Sequence, residues 1–300
     1  GHMAEAPKMS MFQKIRQIPS KIAREKHQKE VRESREYIRE KILSEKMSFQ
    51  VREAYKALRT NVVFSLPTDE CKKIIVTSSL ASEGKSTNCL NLAITFAEMN
   101  ERVLIIDCDL RRPNLGRLLN VKNTPGLSNC LVGLNSLDEI IRKSDFKNLS
   151  YITAGNIPPN PAELLSSPNM DKIIAELEKR FDYIFFDTAP INLVTDTAVL
   201  SKYVHGIIMV VLQASTDKEA LRFAMNQLQF VGAKVLGFIL NGVVYGNNGN
   251  YKYKNKKKYY RYGKGKNYNK YGGSYYKSAY GSYKYSYGGG YGDTDYRNAK

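Results

Sequence analysis

The chain has 300 residues, of which 42% are hydrophobic, and a formal net charge of +17. It holds no apolar run of the roughly 18 residues that a membrane-spanning helix requires, and its four cysteines lack the CxxC spacing of zinc and redox sites. The charge is uneven along the chain. Residues 246–300 hold 13 Lys and Arg against 2 acids, and residues 1–50 hold 12 against 7. Residues 51–245 hold 21 against 20, and this nearly neutral part of the chain is therefore not expected to bind nucleic acid.

The N-terminal region is charged and poor in apolar residues. Gly1-His2-Met3 resembles a cloning scar and is set aside. Residues 4–48 favour helix by propensity, but their apolar stripe is thin, so we expect a solvated or partner-bound helix. Its apolar positions include Ile22, Val31, Ile38 and Ile42.

From residue 73 onwards, short apolar runs alternate with amphipathic segments. Six runs are almost continuously apolar, as strands buried on both faces must be: 73–78, 102–107, 149–153, 183–187, 206–212 and 234–240. Helical patterns between them cover 85–99, 169–181, 195–204 and 217–231. This alternation predicts an α/β fold with a mostly parallel sheet flanked by helices, and functional residues just past the carboxyl ends of the strands. Within such a fold we expect Cys71, Cys89, Cys108 and Cys130 to be small buried hydrophobes in a reducing cytosol.

The first strand leads into the sequence SSLASEGKSTNCLNLA, which has the features of a P-loop. Glu83, Gly84, Lys85, Ser86 and Thr87 stand between a strand and a helix. In that setting backbone N–H groups and the helix N-terminus bind phosphates, Lys85 reaches the terminal phosphates and Ser86 holds Mg²⁺. Ser79 stands where a leading glycine is usual, so a Cβ must fit into a tight loop.

Carboxylates follow two further apolar strands. Asp107 and Asp109 are two residues apart and can address one site, while Asp187 ends another strand. One such Asp would be explained as a turn or helix cap. Three of them downstream of a P-loop favour a site where carboxylates orient metal-bound water or accept a proton from a hydroxyl.

The C-terminal segment is rich in tyrosine. Residues 245–300 contain 16 of the 21 tyrosines and no Ile, Leu, Val, Phe, Met or Cys. Because little burial can offset the entropy cost of ordering this segment, we predict a disordered tail over residues 246–300. Its tyrosines then serve chemistry or binding, and Lys and Arg interleaved with Tyr and Gly would also suit a polyanion or RNA.

Together these motifs resemble those of the bacterial tyrosine kinases (BY-kinases). SSLASEGKST is similar to the family's Walker A motif, LIIDCDLRRP to its Walker A′ and YIFFDTAP to its Walker B. The resemblance spans residues 49–245 plus the tail, and includes the segments 126–133, 153–165, 194–200 and 235–243. Each Walker motif alone is shared with the deviant-Walker ATPases, so an ATPase switch is the alternative. Partition-type ATPases usually carry an early P-loop lysine, which SSLASEG lacks.

The resemblance implies a protein-tyrosine kinase that uses ATP and Mg²⁺ and phosphorylates tyrosines of its own tail and of its neighbours' tails, in trans within an oligomer. It implies that Lys85, Asp107, Asp109 and Asp187 are catalytic, with Asp107 as the proton acceptor, and that Ser86, Asp107 and Asp187 serve the metal. The tyrosines expected to be modified are Tyr268, Tyr271, Tyr275, Tyr276, Tyr280, Tyr283, Tyr285, Tyr287, Tyr291 and Tyr296.

The resemblance also implies a role in capsule and exopolysaccharide synthesis and export. The expected partners are a transmembrane polysaccharide co-polymerase that activates the kinase, a phosphotyrosine phosphatase and other protein substrates, at the inner face of the membrane; nucleic acid is not expected. The expected assembly is a homo-oligomeric ring, for which an octamer is one candidate size.

The family's oligomerisation motif, Glu-x-x-Arg-x-x-Arg, corresponds here to Glu53, Lys56 and Arg59. Lys56 cannot make the forked contact of an arginine, which predicts a weaker or differently held ring. The alternative is a solvated helix face with local ion pairs.

Overall fold

A computed structural model describes residues 40–45, 47–66 and 70–243. Within these ranges, seven strands form one sheet in the order β3-β4-β2-β5-β1-β6-β7. All neighbouring strands are parallel except β3, which pairs antiparallel with β4. The strands are β1 Lys72–Ser78, β2 Val103–Asp107, β3 Arg142–Lys143, β4 Leu149–Ile152, β5 Tyr183–Asp187, β6 Gly206–Leu212 and β7 Val235–Asn241.

Helices connect the strands and cover both faces of the sheet. In the described ranges they are α1 Phe49–Ser65, α2 Lys85–Ala97, α3 Leu115–Leu119, α4 Leu127–Leu131, α5 Leu137–Ile140, α6 Pro161–Leu165, α7 Pro168–Glu178, α8 Asp196–Leu200 and α9 Lys218–Phe230, with a 3-10 turn at Ser201–Tyr203. The confirmed fold is therefore a P-loop-type α/β domain with a mostly parallel sheet.

Two apolar clusters form the core, one on each face of the sheet. Alternate residues of β2 enter different clusters: Val103 and Ile105 pack with α2, whereas Leu104 and Ile106 pack with α7 and α9. The central strands β2 and β5 are buried along their whole length. This two-sided burial explains why the sequence shows continuous apolar runs instead of alternation.

The observed strand limits agree with the predicted ones to within one residue. The sequence does not predict the short helices α3 to α6 or strand β3, because two to five residues are too few to show a periodic pattern. The helix predicted over 195–204 instead ends at Leu200 and continues as a 3-10 turn.

The residues before α1 take part in the core. Ile42 and Leu43 are buried and pack in the same cluster as α2. Residues 1–3, interpreted as a cloning scar, most of the segment 4–48 for which a helix is predicted, and the tail 246–300 lie outside the described residues. The described residues 40–45 form turns and bends. The four cysteines are free thiols, with Cys89 and Cys108 buried and Cys71 and Cys130 half-buried. In the described ranges, every helix is too short or too polar to span a membrane.

Candidate active site

The loop between β1 and α2 has the backbone that a phosphate-binding loop needs. Gly84 precedes the first turn of α2 and takes a left-handed conformation with φ +93°. A Cβ at Gly84 would also meet Asn241 Nδ2 at 2.2 Å. The first N–H groups of a helix have no partner within it, so those of Lys85, Ser86 and Thr87 are suited to bind phosphate oxygens.

Glu83 stabilises the loop between β1 and α2 through hydrogen bonds to its carboxylate. Its Oε2 accepts hydrogen bonds from Ser79 Oγ at 3.0 Å and from the N–H of Leu80 at 2.9 Å. Its Oε1 accepts a hydrogen bond from Thr216 Oγ1, which follows β6. The buried Ser79 therefore fits where a glycine is usual, and its hydroxyl helps to shape the loop. The carboxylate of Glu83 shapes the loop too, and nucleotide binding by Glu83 stays a prediction.

Lys85 brings the predicted carboxylates together. Its Nζ lies 3.0 Å from Asp109 Oδ2, 3.3 Å from Asp187 Oδ1 and 3.3 Å from Ser86 Oγ. Lys85 is only 8% exposed. Burial lowers the pKa of Lys85, but the charges of Asp187, Asp109 and Asp107 raise it further, so the net shift is upward and the ammonium stays charged.

Asp107 lies beside Asp187 at the carboxyl edge of the sheet. The two residues are register partners on β2 and β5, and both are fully buried. Asp107 Oδ2 accepts the N–H groups of Asn114 and Leu115, both at 2.9 Å. Burial, followed by the charge of Asp187, raises the pKa of Asp107 well above its usual range. Asp107 therefore holds a proton more readily than an ordinary carboxylate does.

The arrangement fits a magnesium–nucleotide complex. Asp187 Oδ2 is buried and has no hydrogen-bond partner among the described residues. In the same ranges, no group of three or more His, Cys, Asp and Glu side chains forms a complete metal site. Mg²⁺ is commonly bound by one or two carboxylates together with substrate phosphates and water, so Asp187 and Ser86 suit this mode.

Comparisons with known proteins agree with this geometry. The AAA domain family matches residues 71–229, more than half of the chain. The tyrosine-protein kinase YwqD of Bacillus subtilis is 37% identical over 205 residues, which are 68% of this chain and 86% of YwqD. This chain belongs to the bacterial tyrosine kinase family.

Further relatives place this kinase in the same family. The putative tyrosine-protein kinase CapB of Staphylococcus aureus is 34% identical over 68% of this chain and 89% of CapB. The kinase domain of the Escherichia coli tyrosine kinase ETK superposes with a TM-score of 0.63 at 31% identity, over 68% of this chain and 80% of that domain. These comparisons favour an ATP-dependent protein-tyrosine kinase over the deviant-Walker ATPase switch.

The structure also shows a polar contact that sequence reasoning missed. Arg111, in the loop after β2, pairs with the fully buried Asp196 through Nε and Nη2, at 3.0 and 3.2 Å. This forked contact ties the Walker A′ loop of the kinase to α8. Arg111 and Asp196 both lie in segments that resemble the family, but the only local signal at Asp196 is its place before the apolar run TAVL, which indicates a helix start and no partner.

The residues predicted for oligomerisation lie on α1 and make contacts within this chain. Lys56 Nζ pairs with Glu53 Oε1 at 2.8 Å. Arg59 Nη1 donates to the backbone carbonyl of Thr95 at 2.5 Å. The Lys56–Glu53 pair is a local ion pair of the kind the alternative interpretation expects, whereas Arg59 contacts α2 and is not part of a solvated face. The oligomerisation role stays a prediction. The ten tail tyrosines from Tyr268 to Tyr296 lie outside the described residues.

Proposed function

We propose that this kinase transfers the γ-phosphoryl group of ATP to tyrosines of its own C-terminal tail. The observation that carries the proposal is the convergence of Lys85 with Asp109 and Asp187 at the end of the P-loop, next to Asp107. A base, a cation and metal-binding oxygens thus meet where a γ-phosphate would lie, which is the set of groups that phosphoryl transfer needs.

The chain's own residues bind and orient the nucleotide. The ammonium of Lys85 and the N-terminus of α2 attract the phosphates, and the left-handed Gly84 lets the backbone approach them. Ser86 and Asp187 would hold Mg²⁺. When bound, Mg²⁺ would neutralise charge that develops on the phosphates. Burial of the whole cluster excludes water and strengthens these electrostatic contacts.

Asp107 is the proposed proton acceptor. A tyrosine hydroxyl with a pKa near 10 must lose its proton as its oxygen attacks the γ-phosphorus. As the new O–P bond forms, the bond to the ADP oxygen breaks and the proton passes to the carboxylate of Asp107. Burial and Asp187 raise the pKa of Asp107, which makes it a stronger base than an exposed carboxylate.

The tail has the composition of a substrate. It offers many tyrosines along a Gly-rich segment, and a flexible chain of that length would span roughly 40 Å. It could then reach a neighbouring subunit. The segment 246–300 carries a charge of +11, and each phosphate adds about −1.5 to −2, so about six phosphates would cancel it. Phosphorylation would then release the tail from acidic partners or anionic lipid.

The family resemblance supports the wider setting of the proposal. We propose that the kinase regulates capsule or exopolysaccharide synthesis and export. It would act as a homo-oligomer, stimulated by a transmembrane polysaccharide co-polymerase and reversed by a phosphotyrosine phosphatase. It would lie in the cytoplasm at the inner face of the membrane through that partner.

Mass spectrometry tests the proposal. The purified chain is incubated with Mg²⁺ and ATP, and its intact mass and phosphopeptides are compared with those of Lys85→Met. Most phosphate should lie on tyrosines after residue 245, at the ten positions from Tyr268 to Tyr296 among others. Phosphate only on Ser or Thr, or none even with an activating partner, would rule out the kinase proposal.

A further inference from the structure

A line of hydrogen bonds runs from α1 to the P-loop. The hydroxyl of Tyr55 on α1 donates to Asn88 Oδ1 at 2.9 Å. Asn88 lies in the first turns of α2, and its Nδ2 donates to the backbone carbonyl of Gly84 at 2.9 Å. The same carbonyl accepts the N–H of Asn88 at 3.0 Å. Both hydrogen bonds to Gly84 therefore come from one residue, and Tyr55 fixes the side chain of that residue.

A second asparagine extends this line to the segment before α1. Asn91 Nδ2 donates to the Tyr55 hydroxyl at 3.1 Å and to the backbone carbonyl of Lys41 at 2.9 Å. Asn91 Oδ1 accepts the N–H of Leu43 at 2.8 Å. Asn88 and Asn91 are almost completely buried, so each hydrogen bond is protected from competition with water.

The direction of the Tyr55 hydrogen bond follows from its surroundings. The Tyr55 hydroxyl accepts a hydrogen bond from Asn91 Nδ2, so its own proton is directed to Asn88 Oδ1, and burial raises the pKa of Tyr55 further above neutral pH. With Oδ1 of Asn88 occupied by this donor, the amide nitrogen is the group turned toward Gly84. Loss of the hydroxyl would leave a buried acceptor on Asn88 without this donor and free the amide to rotate.

The carbonyl of Gly84 sets the orientation of a phosphate-facing donor. Gly84 C=O and Lys85 N–H belong to one planar peptide unit, so fixing the carbonyl also fixes the direction of the N–H. Lys85 N–H is the first donor of α2 and lies at the end of the loop where the proposed phosphate site is. A rotation of this plane would misdirect the donor without changing the fold.

We propose that Tyr55 is a positioning residue for the nucleotide and that it acts through Asn88 on the Gly84–Lys85 peptide. In this way Tyr55 couples the docking of α1 and of Lys41–Leu43 to phosphate binding. The proposal rests on the proposed nucleotide site. Because coupling between two sites is reciprocal, nucleotide should also stabilise α1 against local opening. Since α1 carries Glu53, Lys56 and Arg59, nucleotide binding would stabilise the helix that is predicted to mediate assembly.

The test uses Tyr55→Phe, which keeps the ring and removes only the hydroxyl, in the full chain. Titration calorimetry with Mg²⁺-ADP and with a non-hydrolysable ATP analogue should give a Kd raised about three- to tenfold, the effect of one buried hydrogen bond. The KM for ATP should rise in parallel while kcat changes little. Tyr203→Phe is the matched control, because it also removes a tyrosine hydrogen bond, to Asp171, away from the P-loop. It should leave the Kd unchanged.

A double-mutant cycle and hydrogen exchange separate positioning from a structural role. In an Asn88→Ala background, Tyr55→Phe should cause little further loss of affinity, because both changes break one line of contacts. Nucleotide should slow amide exchange in α1 of the wild type and do so less in Tyr55→Phe. An unchanged Kd in Tyr55→Phe, even with reduced stability, would overturn the proposal, as would fully additive losses in the cycle. If the wild type binds neither nucleotide, the proposed function fails and this proposal fails with it.

Discussion

Asp107 and Asp187 are register partners on the neighbouring strands β2 and β5, and both carboxylates are fully buried. Burial raises the pKa of each, and the charge of Asp187 raises the pKa of Asp107 further. Lys85 opposes both shifts without cancelling them. The folded chain therefore holds two carboxyl groups that are harder to ionise than in the unfolded chain, so their ionisation lowers the free energy of unfolding.

The first prediction concerns pH. A carboxyl whose folded pKa lies above its unfolded value keeps its proton in the folded chain to a higher pH. The free energy of unfolding therefore falls as pH rises from the unfolded pKa, about 3.9 for Asp, through the folded pKa. Asp187→Asn mimics the protonated group, so it should be more stable than the wild type at pH 7. This gain should shrink as pH falls toward 4. Urea unfolding of both proteins at several pH values, without nucleotide, measures it.

Asp182 provides the matched control on the same chain. Hydrogen bonds from Arg102 hold the pKa of Asp182 below its usual range. The ionised Asp182 therefore adds to the free energy of unfolding above the unfolded pKa, and this stabilisation is lost as pH falls through the folded pKa. Asp182→Asn should therefore lose stability at pH 7, which is opposite in sign to Asp187→Asn. An Asp187→Asn protein that is less stable than the wild type at pH 7 would contradict this electrostatic account of the site.

Much of the fold and of the site could be predicted from the sequence, for identifiable reasons. Strand limits followed from continuous apolar runs, because strands buried on both faces tolerate few polar residues. Lys85, Asp107, Asp109 and Asp187 could be found because their neighbours on the chain mark strand ends and a helix start. Contacts such as Tyr55–Asn88 and Glu83–Thr216 could not be found. They join residues far apart in sequence, and neither partner differs in type from an ordinary surface residue.

The second prediction concerns Lys85→Met. Removal of the ammonium leaves three buried carboxylates around the site and removes the charge that we propose faces the transferred phosphate. Tyrosine phosphorylation should fall by orders of magnitude. Breaking a buried ion pair should also lower the free energy of unfolding by about 3–5 kcal/mol at neutral pH. Phosphotyrosine analysis and urea unfolding measure the two effects.

A second substitution separates the two roles of Lys85. Lys85→Met combined with Asp187→Asn should recover part of the lost stability, because one fewer buried charge is left without its partner. It should recover no phosphorylation. Near-normal phosphorylation in Lys85→Met would show that another group holds the phosphate.

The third prediction concerns Gly84. Gly84→Ala places a Cβ at a left-handed φ of +93° and against Asn241 Nδ2 at 2.2 Å, so the loop must shift. We expect weaker binding of Mg²⁺-ADP and a loss of about 1–2 kcal/mol from the backbone alone. Gly133→Ala is the matched control, since φ is +79° there but nothing lies within 4 Å. It should lose a similar backbone contribution and keep its nucleotide affinity. Equal nucleotide affinities in the two variants would mean that the close approach at Gly84 is not needed for binding.

The last prediction concerns assembly. Glu53 and Arg59 lie on α1 and would meet the next subunit in the predicted ring, whereas in the single chain Arg59 donates to the carbonyl of Thr95. If α1 mediates assembly, sedimentation velocity of the unphosphorylated chain should show a concentration-dependent oligomer that salt weakens. The combined Glu53→Ala and Arg59→Ala variant should be monomeric, and phosphorylation should also dissociate the oligomer, because the modified tails repel one another.

Thr60→Ala is the control: it removes the hydroxyl that donates to the Lys56 carbonyl within α1, and it should still assemble. If Arg59 instead serves only its own chain, Arg59→Ala should lose about 1 kcal/mol of stability and leave the sedimentation unchanged. Monomers of the wild type and of Lys85→Met at tens of micromolar, with and without nucleotide, would refute the ring, and the tail would then be phosphorylated within one chain or during brief encounters.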